Sequence, residues 1–317
     1  MSKYVQMGFE AICRPPRANY DDDEVPNFIF IANYGEVARV PVTFPNSRGC
    51  NIVGSYYPPN GEIAEKSCII YLHGNASCQL EGTFLVPIYC PAGVSVLCFD
   101  FSGCGKSEGE YISLGYYEKD DVLCAISFLR ARFGVGKIAL WGRSMGAATT
   151  FFVTDEEPTI ACAIADSPFC SLSQLIIDLG LKYKVPGCLT STGIKIVSST
   201  VKSRAKFDIA NVEPIKHATR SFAPIFIIHG QNDSFIPYHH SELLLQAYAG
   251  EEKQLTVVPG ADHNTARPAD VIVNAVMFIA RILDAPVVID DVSNVMDSSY
   301  RHYENAEDML RHMGDIE

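Results

Sequence analysis

Short, unbroken runs of apolar residues recur along this chain, and they constrain its fold more than any other feature. Runs of this kind are typical of strands in a parallel sheet that is covered on both faces. They lie at residues 37–44, 52–57, 68–72, 94–99, 138–141, 160–165, 225–228 and 255–258. Helical patterns separate them at about 113–133, 145–154, 239–249 and 268–283. The alternation predicts an α/β fold with one mostly parallel, doubly wound sheet.

The run at 138–141 leads directly into the sequence G-x-S-x-G at residues 142–146, and small, helix-forming residues follow. This order is typical of a nucleophile elbow, a tight turn on which a serine stands between a strand and a helix. Only small residues fit two positions before and after the serine, which here are Gly142 and Gly146. A chance match arises in roughly one chain of this length in ten, so the flanking strand and helix decide the interpretation. We predict that Ser144 is a nucleophile at a helix N-terminus, where N–H groups favour developing negative charge.

An aspartate and a histidine follow two later strands. Asp233 comes after the run at 225–228, and His263 comes after the run at 255–258. Open α/β sheets place their sites at the carboxyl ends of strands, and the order Ser, Asp, His is that of hydrolases with a nucleophile elbow. The sequence therefore predicts a triad with Ser144 as nucleophile, His263 as general base and Asp233 as the acid that orients the histidine.

Two other carboxylates are alternatives for the orienting acid. Asp166 also follows a strand, and Asp262 is the immediate neighbour of His263. We prefer Asp233 because its strand directly precedes the strand that leads to the histidine. Loss of a true triad acid costs on the order of 10⁴-fold in rate, so mutation distinguishes the three.

The run at 68–72 is followed by His73, Gly74 and Asn75, a sequence typical of a loop that binds an oxyanion. Such a site needs N–H groups aimed at the oxygen that becomes negative during acyl transfer. We predict that the backbone N–H groups of Asn75 and Met145 form this oxyanion hole, Met145 being the residue after the serine. For His73 we favour a structural role in the loop over catalysis.

With these motifs the chain resembles the α/β-hydrolase superfamily over about residues 36–284. A further signature of that superfamily, structural more than catalytic, is the sequence DFSGCGKS at residues 100–107. Finer matches resemble a eukaryotic intracellular subgroup, which is similar to hydrolases that remove palmitate from proteins and to serine aminopeptidase-like hydrolases. These matches lie at residues 14–20, 165–169, 205–209, 235–240 and 262–264. The resemblance implies an α/β-hydrolase fold, with a small helical cap, and serine hydrolase chemistry.

Three functions fit these residues. The first is hydrolysis of a carboxylic ester or thioester through an acyl-enzyme, with an acyl-containing small molecule or an acylated protein as substrate. The second is a serine peptidase of the aminopeptidase type, which needs acidic groups near the site to hold a free amine. The third is a non-catalytic binding protein on the same fold, although such proteins commonly lose a triad residue and none is missing from this sequence. The triad chemistry needs no metal and no organic cofactor.

We expect three parts along the chain. An N-terminal arm covers residues 1–35 and should be irregular, and the α/β-hydrolase domain covers 36–284. The cap is an insert in that domain at about 170–222, where two helical patterns interrupt the alternation. Residues 285–317 form an acidic C-terminal tail with one predicted helix near 303–312.

The cap differs in charge from the rest of the chain. Residues 171–220 hold eight Lys and Arg against three acids, a net charge of +5, in a chain whose net charge is −12. That surplus either attracts an anionic substrate, an acidic protein or a lipid surface, or belongs to an ordinary solvated face. A positively charged cap fits an aminopeptidase poorly, because that enzyme needs acidic groups near the site. Five apolar residues either line an acyl pocket or pack the cap on the sheet: Leu172, Leu175, Ile176, Leu179 and Leu181.

The amino-acid composition limits which classes of partner and which cellular compartment we expect for this protein. A net charge of −12 argues against a nucleic-acid partner, since nucleic-acid-binding proteins neutralise phosphates with Lys and Arg. The eleven cysteines form no CxxC pair and have no zinc spacing, so we expect no metal site. The apolar runs are far shorter than the ~20 residues of a membrane span, and the first residues have no secretory pattern. We therefore expect a cytoplasmic protein without a transmembrane span, which leaves room for peripheral membrane contact.

Overall fold

The computed structural model of this protein describes residues 3–182 and 187–288, without the side chains of residues 3, 4 and 187–192. The predicted tail beyond residue 288, with its helix near 303–312, lies outside the described residues. The strands are β1 (Phe28–Ile31), β2 (Gly35–Ala38), β3 (Val40–Pro45), β4 (Asn51–Tyr57), β5 (Ser67–Leu72), β6 (Val94–Phe99), β7 (Lys137–Arg143), β8 (Ile160–Asp166), β9 (Ile225–Gly230) and β10 (Lys253–Val258). The helices are α1 (Lys3–Cys13), α2 (Val86–Tyr89), α3 (Glu118–Phe133), α4 (Met145–Glu156), α5 (Leu172–Lys182), α6 (Gly187–Arg204), α7 (Pro214–Ala218), α8 (His239–Ala247) and α9 (Ala269–Leu283).

Among these described elements, eight strands form one sheet in the order β10-β9-β8-β7-β5-β6-β4-β3. Neighbouring strands from β10 to β6 are parallel, and β4 is antiparallel to both β6 and β3. Helices α3, α4 and α8 contribute to an apolar core on one face, whereas α2 and α9 contribute to a core on the other. Strands β5, β6 and β9 are buried at every residue. The predicted doubly wound α/β fold is confirmed.

The eight apolar runs all lie in strands of the structure, but one run is divided. Residues 37–44 are split between β2 and β3, and β2 pairs with β1 in a separate two-stranded sheet. The expectation of an irregular N-terminal arm is wrong, because α1 is a helix and β1 and β2 form an antiparallel pair. Phe9 of α1 is fully buried in a cluster that includes residues of the cap. A helix of eleven residues is marginal on its own, so this contact with distant residues stabilises it.

The chain leaves the sheet after β8 and returns to it at β9, and α5, α6 and α7 lie in between. Leu172 and Leu175 of α5 are buried in one cluster with Phe152 of α4. These two leucines therefore pack the cap on the domain, whereas Leu181 is 67% exposed. No helix within the described ranges is long and apolar enough to cross a membrane.

Candidate active site

Ser144 stands on the turn between β7 and α4, with a backbone φ of 52° and a ψ of −112°. Residues other than glycine rarely adopt a positive φ, so the surrounding structure holds the serine in a strained conformation. A Cβ atom added at Gly142 would come within 2.4 Å of the Gly146 carbonyl oxygen, and one added at Gly146 within 1.9 Å of the Leu72 carbonyl oxygen. The turn therefore has room for glycine alone at both positions.

The structure brings Ser144, His263 and Asp233 together, each just beyond the carboxyl end of a strand. His263 Nε2 lies 3.1 Å from Ser144 Oγ, and His263 Nδ1 lies 2.7 Å from Asp233 Oδ2. All three residues are buried. The other carboxylate oxygen of Asp233 accepts hydrogen bonds from the backbone N–H groups of Phe235 and Ile236, at 3.0 and 2.7 Å. This geometry directs one imidazole nitrogen to a hydroxyl and the other to a carboxylate, as general-base catalysis requires.

Two histidines stabilise the charge of Asp233. Burial by itself would raise the pKa of Asp233, but the electrostatic interactions and hydrogen bonds of His263 and His229 outweigh burial and hold that pKa well below its usual range. His229 of β9 is fully buried, with Nε2 3.3 Å from Asp233 Oδ2 and 2.7 Å from the Ile236 carbonyl oxygen. Its Nδ1 accepts the Ser241 hydroxyl at 2.6 Å. His229 could not be recognised from the sequence because one polar residue at the end of an apolar strand has no pattern of its own.

The two alternative carboxylates have other partners. Arg267 forms a buried ion pair with Asp166, with Nη2 2.8 Å from Oδ1 and Nε 3.1 Å from both carboxylate oxygens. Burial opposes the ionisation of Asp166, but the Arg267 charge holds its pKa below the usual range. Asp262 accepts the backbone N–H groups of Ser234 and His263, at 2.7 Å each. The geometry therefore favours Asp233, which follows β9, as the aspartate that contacts the imidazole of His263.

The predicted oxyanion loop lies next to the serine. A Cβ atom added at Gly74 would be 3.7 Å from Ser144 Cβ. Asn75 follows Gly74 directly, and Met145 is the first residue of α4, where N–H groups lack an acceptor within the helix. Because β5 and β7 are adjacent and parallel, both residues leave the sheet at the same edge. The backbone thus brings the two residues of the predicted oxyanion hole to the edge that carries the serine.

His73 has both ring nitrogens engaged within the fold. The Phe101 N–H donates to Nε2 at 3.0 Å, so Nδ1 carries the proton and donates to the Gly74 carbonyl oxygen at 2.7 Å. The side chain is fully buried. These bonds attach the loop after β5 to the end of β6, which is the structural role favoured for this histidine.

Arg143 connects the two loops on either side of the serine. Its Nη2 donates to Asn264 Oδ1 at 2.5 Å, beside the histidine of the site. Its Nη1 lies 3.8 Å from Glu81 Oε1, and Glu81 Oε2 accepts the Gly74 N–H at 3.1 Å. The Tyr71 hydroxyl also donates to Glu81, at 2.8 Å. This network could not be recognised from the sequence because Glu81 belongs to no known motif.

The cap adjoins the loop of Asp233. Lys182 Nζ, at the end of α5, donates to the Ser234 carbonyl oxygen at 2.6 Å. Phe235, the next residue of that loop, packs edge-on against the His263 ring with centroids 5.2 Å apart. A shift of α5 would therefore displace the loop that packs against His263.

Comparison with known proteins identifies relatives over the same part of the chain. A model of the prolyl oligopeptidase family matches residues 88–284, which include the serine, the aspartate and the histidine described above. The uncharacterized protein YfhR of Escherichia coli K12 is 30% identical over 228 residues, 70% of this chain and 72% of that protein. The uncharacterized protein YqkD of Bacillus subtilis is 26% identical over 235 residues, 73% of this chain and 75% of that protein.

Solved structures show the same fold. The esterase Pf2001 of Pyrococcus furiosus superposes with a TM-score of 0.63 at 21% sequence identity, and covers 84% of this chain and 97% of its own. The α/β-hydrolase fold implied by the sequence motifs is thereby confirmed.

Proposed function

The chain belongs to the prolyl oligopeptidase family, and on that premise we propose that it hydrolyses a carboxylic ester or thioester through an acyl-enzyme on Ser144. One observation carries the proposal: His263 lies between Ser144 Oγ, at 3.1 Å, and the Asp233 carboxylate, at 2.7 Å. A nucleophile within reach of a base, with the base oriented by a third group, is the arrangement that activates a serine hydroxyl.

The proposed reaction has two halves. His263 Nε2 takes the proton of Ser144 as Oγ attacks the substrate carbonyl carbon, and Asp233 stabilises the imidazolium. The N–H groups of Asn75 and Met145 hold the oxyanion of the tetrahedral intermediate. The carbon–oxygen or carbon–sulfur bond to the leaving group breaks, and the leaving group receives the proton from His263. A water molecule then gives a proton to the same imidazole as its oxygen attacks the acyl carbon. The bond from that carbon to Ser144 Oγ breaks, the acid leaves, and Oγ takes the proton back from His263.

Two buried carboxylates near the serine are paired with arginines and are therefore poorly suited to hold the free amine of a peptide. An aminopeptidase needs an uncompensated carboxylate near the nucleophile, whereas the buried carboxylates of Asp166 and Glu81 face the guanidinium groups of Arg267 and Arg143. The name of the matching family favours the second candidate, a serine peptidase on the same scaffold. A substrate panel therefore has to include both bond types.

We place the protein in the cytoplasm, acting on an acyl-containing small molecule or an acylated protein. The resemblance to protein depalmitoylases supports this class of substrate. Within the described residues ten cysteines are free thiols, which supports a reducing compartment.

A fluorophosphonate probe tests for an activated serine. The wild type should be labelled on a gel, and Ser144→Ala should not be. Ser127 is an exposed serine of α3 whose hydroxyl donates to the Leu123 carbonyl oxygen, so Ser127→Ala should label like the wild type. A folded wild type that is not labelled would contradict an assembled triad and favour a binding protein.

A panel of substrates then separates the two hydrolase candidates. Neutral acyl esters, acyl thioesters and aminoacyl amides are compared by kcat/KM, with Ser144→Ala as the blank. Turnover of esters or thioesters well above amides supports the proposal. Amide turnover equal to or above ester turnover would instead establish a peptidase.

A further inference from the structure

Three potential metal ligands converge where the cap meets α8. His239 and His240 begin α8, and Asp178 lies on α5. Asp178 Oδ2 is 3.0 Å from His240 Nε2 and 3.2 Å from His239 Nε2, and all three atoms lie within 4.8 Å of one another. The two imidazole rings are stacked, with centroids 4.5 Å apart. Both Nε2 atoms are close to the same carboxylate oxygen.

Two atoms of this cluster are buried without a hydrogen-bond partner in the described part of the chain. They are His240 Nε2 and Asp178 Oδ2, which lie close together but not in the orientation of a hydrogen bond. The His240 side chain is completely buried. A buried polar atom without a partner is costly, and a cation between the two atoms would satisfy both.

We propose that Asp178, His239 and His240 bind a divalent transition-metal ion, zinc by preference. Two imidazoles and a carboxylate are ligands that zinc takes, with a fourth position left for water or another group. Bonds of about 2.0–2.1 Å in a tetrahedral site separate neighbouring ligand atoms by about 3.3 Å. The separations of 3.0 and 3.2 Å from the carboxylate oxygen are therefore close to those of a formed site.

Neighbouring groups orient two of the three ligands. Gln174 Nε2 donates to the second carboxylate oxygen of Asp178 at 2.9 Å, and the first oxygen thereby faces the histidines. His240 Nδ1 lies 3.0 Å from Cys170 Sγ, which accepts the Nδ1 proton when Nε2 binds a metal. Such outer contacts are typical of metal-binding histidines and carboxylates.

A metal-free histidine–aspartate cluster is the competing interpretation. The backbone N–H of Cys170 lies 3.3 Å from His240 Nδ1, and this long contact would place the proton on Nε2 instead. The proton would then point towards Asp178 without the alignment of a good hydrogen bond. The two interpretations differ in one measurable quantity, the uptake of metal.

The site would fasten the cap to the domain. Asp178 belongs to the cap helix, whereas His239 and His240 follow the loop of Asp233 in the chain. The sequence predicted no metal here because the carboxylate lies on a distant element and two adjacent histidines alone form no known spacing. The proposal stands independently of the reaction at Ser144.

The test uses the full-length protein after removal of metals with a chelator. Zn²⁺ is titrated by calorimetry, and Co²⁺ serves as a spectroscopic probe of ligand geometry. We expect one equivalent of Zn²⁺ to bind at micromolar concentration or below, a visible Co²⁺ spectrum of four- or five-coordinate character, and a higher Tm with Zn²⁺ present. His239→Ala and Asp178→Asn each remove a ligand and should weaken binding by at least the roughly 10–100-fold that loss of an outer contact costs.

A matched control separates this cluster from other histidine–aspartate pairs. His217 of α7 has its Nδ1 2.7 Å from Asp155 Oδ2 of α4 and belongs to neither α5 nor α8, so His217→Ala should bind Zn²⁺ like the wild type. The His239 side chain is 42% exposed, so its removal should leave the metal-free protein folded, as its far-UV circular dichroism would show. No tight binding to the wild type, or equal binding to wild type and His239→Ala, overturns the proposal.

Discussion

Two buried aspartates near Ser144 have different partners, and their removal should therefore have different effects. Asp233 faces His263, whereas Asp166 neutralises Arg267. We expect Asp233→Asn to lower kcat on the best ester by about 10⁴-fold, because the imidazole loses the acid that fixes its tautomer. We expect Asp166→Ala to lower the free energy of unfolding by about 3–5 kcal/mol, because it leaves a buried guanidinium unpaired.

Steady-state kinetics and urea unfolding of both variants test this contrast. The Asp233 variant should keep most of its stability, and the Asp166 variant should keep far more of its kcat at a temperature where it is folded. The reverse pattern would show that Asp166 is the orienting acid.

The same aspartates predict how stability depends on pH. Both have a pKa below the ordinary value of 3.8 in the folded protein, Asp166 chiefly through Arg267 against the effect of burial. A group with a depressed pKa contributes stability above its unfolded pKa and loses that contribution as pH falls towards its folded pKa. The contribution of these two aspartates to the free energy of unfolding should therefore be nearly constant above about pH 5 and fall below about pH 4. Asp166→Asn should flatten this fall in urea titrations at several pH values, and an unchanged slope would contradict the assignment.

The sequence located the three polar side chains that stand at strand ends, and the structure brings these together. Ser144, Asp233 and His263 each follow a recognisable apolar strand, so chain order and strand position were enough to find them; their catalytic roles stay predictions. His229 and Arg143 lie inside the strands themselves. Only the packing of distant loops shows that these two face the site rather than the core.

The sheet strands were easier to predict from the sequence than the N-terminal helix, for a physical reason. A strand that is buried on both faces is apolar throughout, which a single segment shows by itself. Helix α1 is short, and its stability comes from contact with α6, nearly two hundred positions further along the chain. Its apolar residues Val5, Phe9 and Ile12 do recur at helical spacing, but one short amphipathic segment does not show which distant residues cover it.

Close approach of α4 and β5 makes Gly146 sensitive to the smallest substitution. A Cβ atom at Gly146 would lie 1.9 Å from the Leu72 carbonyl oxygen, so Gly146→Ala must move the helix away from the strand. We expect a loss of more than about 3 kcal/mol in the free energy of unfolding, or no soluble protein. Gly193 in α6 has no atom within 4 Å of its added Cβ, so Gly193→Ala should stabilise the protein by up to about 1 kcal/mol. If the two substitutions changed Tm by similar amounts, close packing would not be what determines their effects on stability.

The molecule as a whole is acidic, but part of the positive charge of the cap is matched by nearby acids. Lys202 pairs with Asp208, Lys216 with Glu213, and Arg220 with Asp155. The net surplus of residues 171–220 is still +5, which should attract anionic substrates over distances comparable to the Debye length.

If the cap steers substrates, kcat/KM for an anionic ester should fall as salt rises from about 0.01 to 0.5 M, while that for a neutral ester stays constant. Lys195, an exposed residue of α6, should contribute, so Lys195→Glu should reduce the response. Lys137 stands at the amino end of β7, the opposite edge of the sheet from Ser144. Lys137→Glu should therefore leave the salt dependence of kcat/KM unchanged. Equal salt dependence for both esters would contradict steering.

The packing of α1 has a practical consequence for protein production. Phe9 is buried, and the Arg204 guanidinium carbon lies 4.1 Å from the centroid of the Phe9 ring. The neighbouring Gly8 packs so closely that a Cβ atom added there would lie 2.9 Å from Val197. A truncated gene that omits the first thirteen codons would expose this apolar surface of α6 to solvent. An inactive product would then report a collapsed cap rather than a faulty triad, so shortened clones are poor material for judging what this hydrolase can cleave.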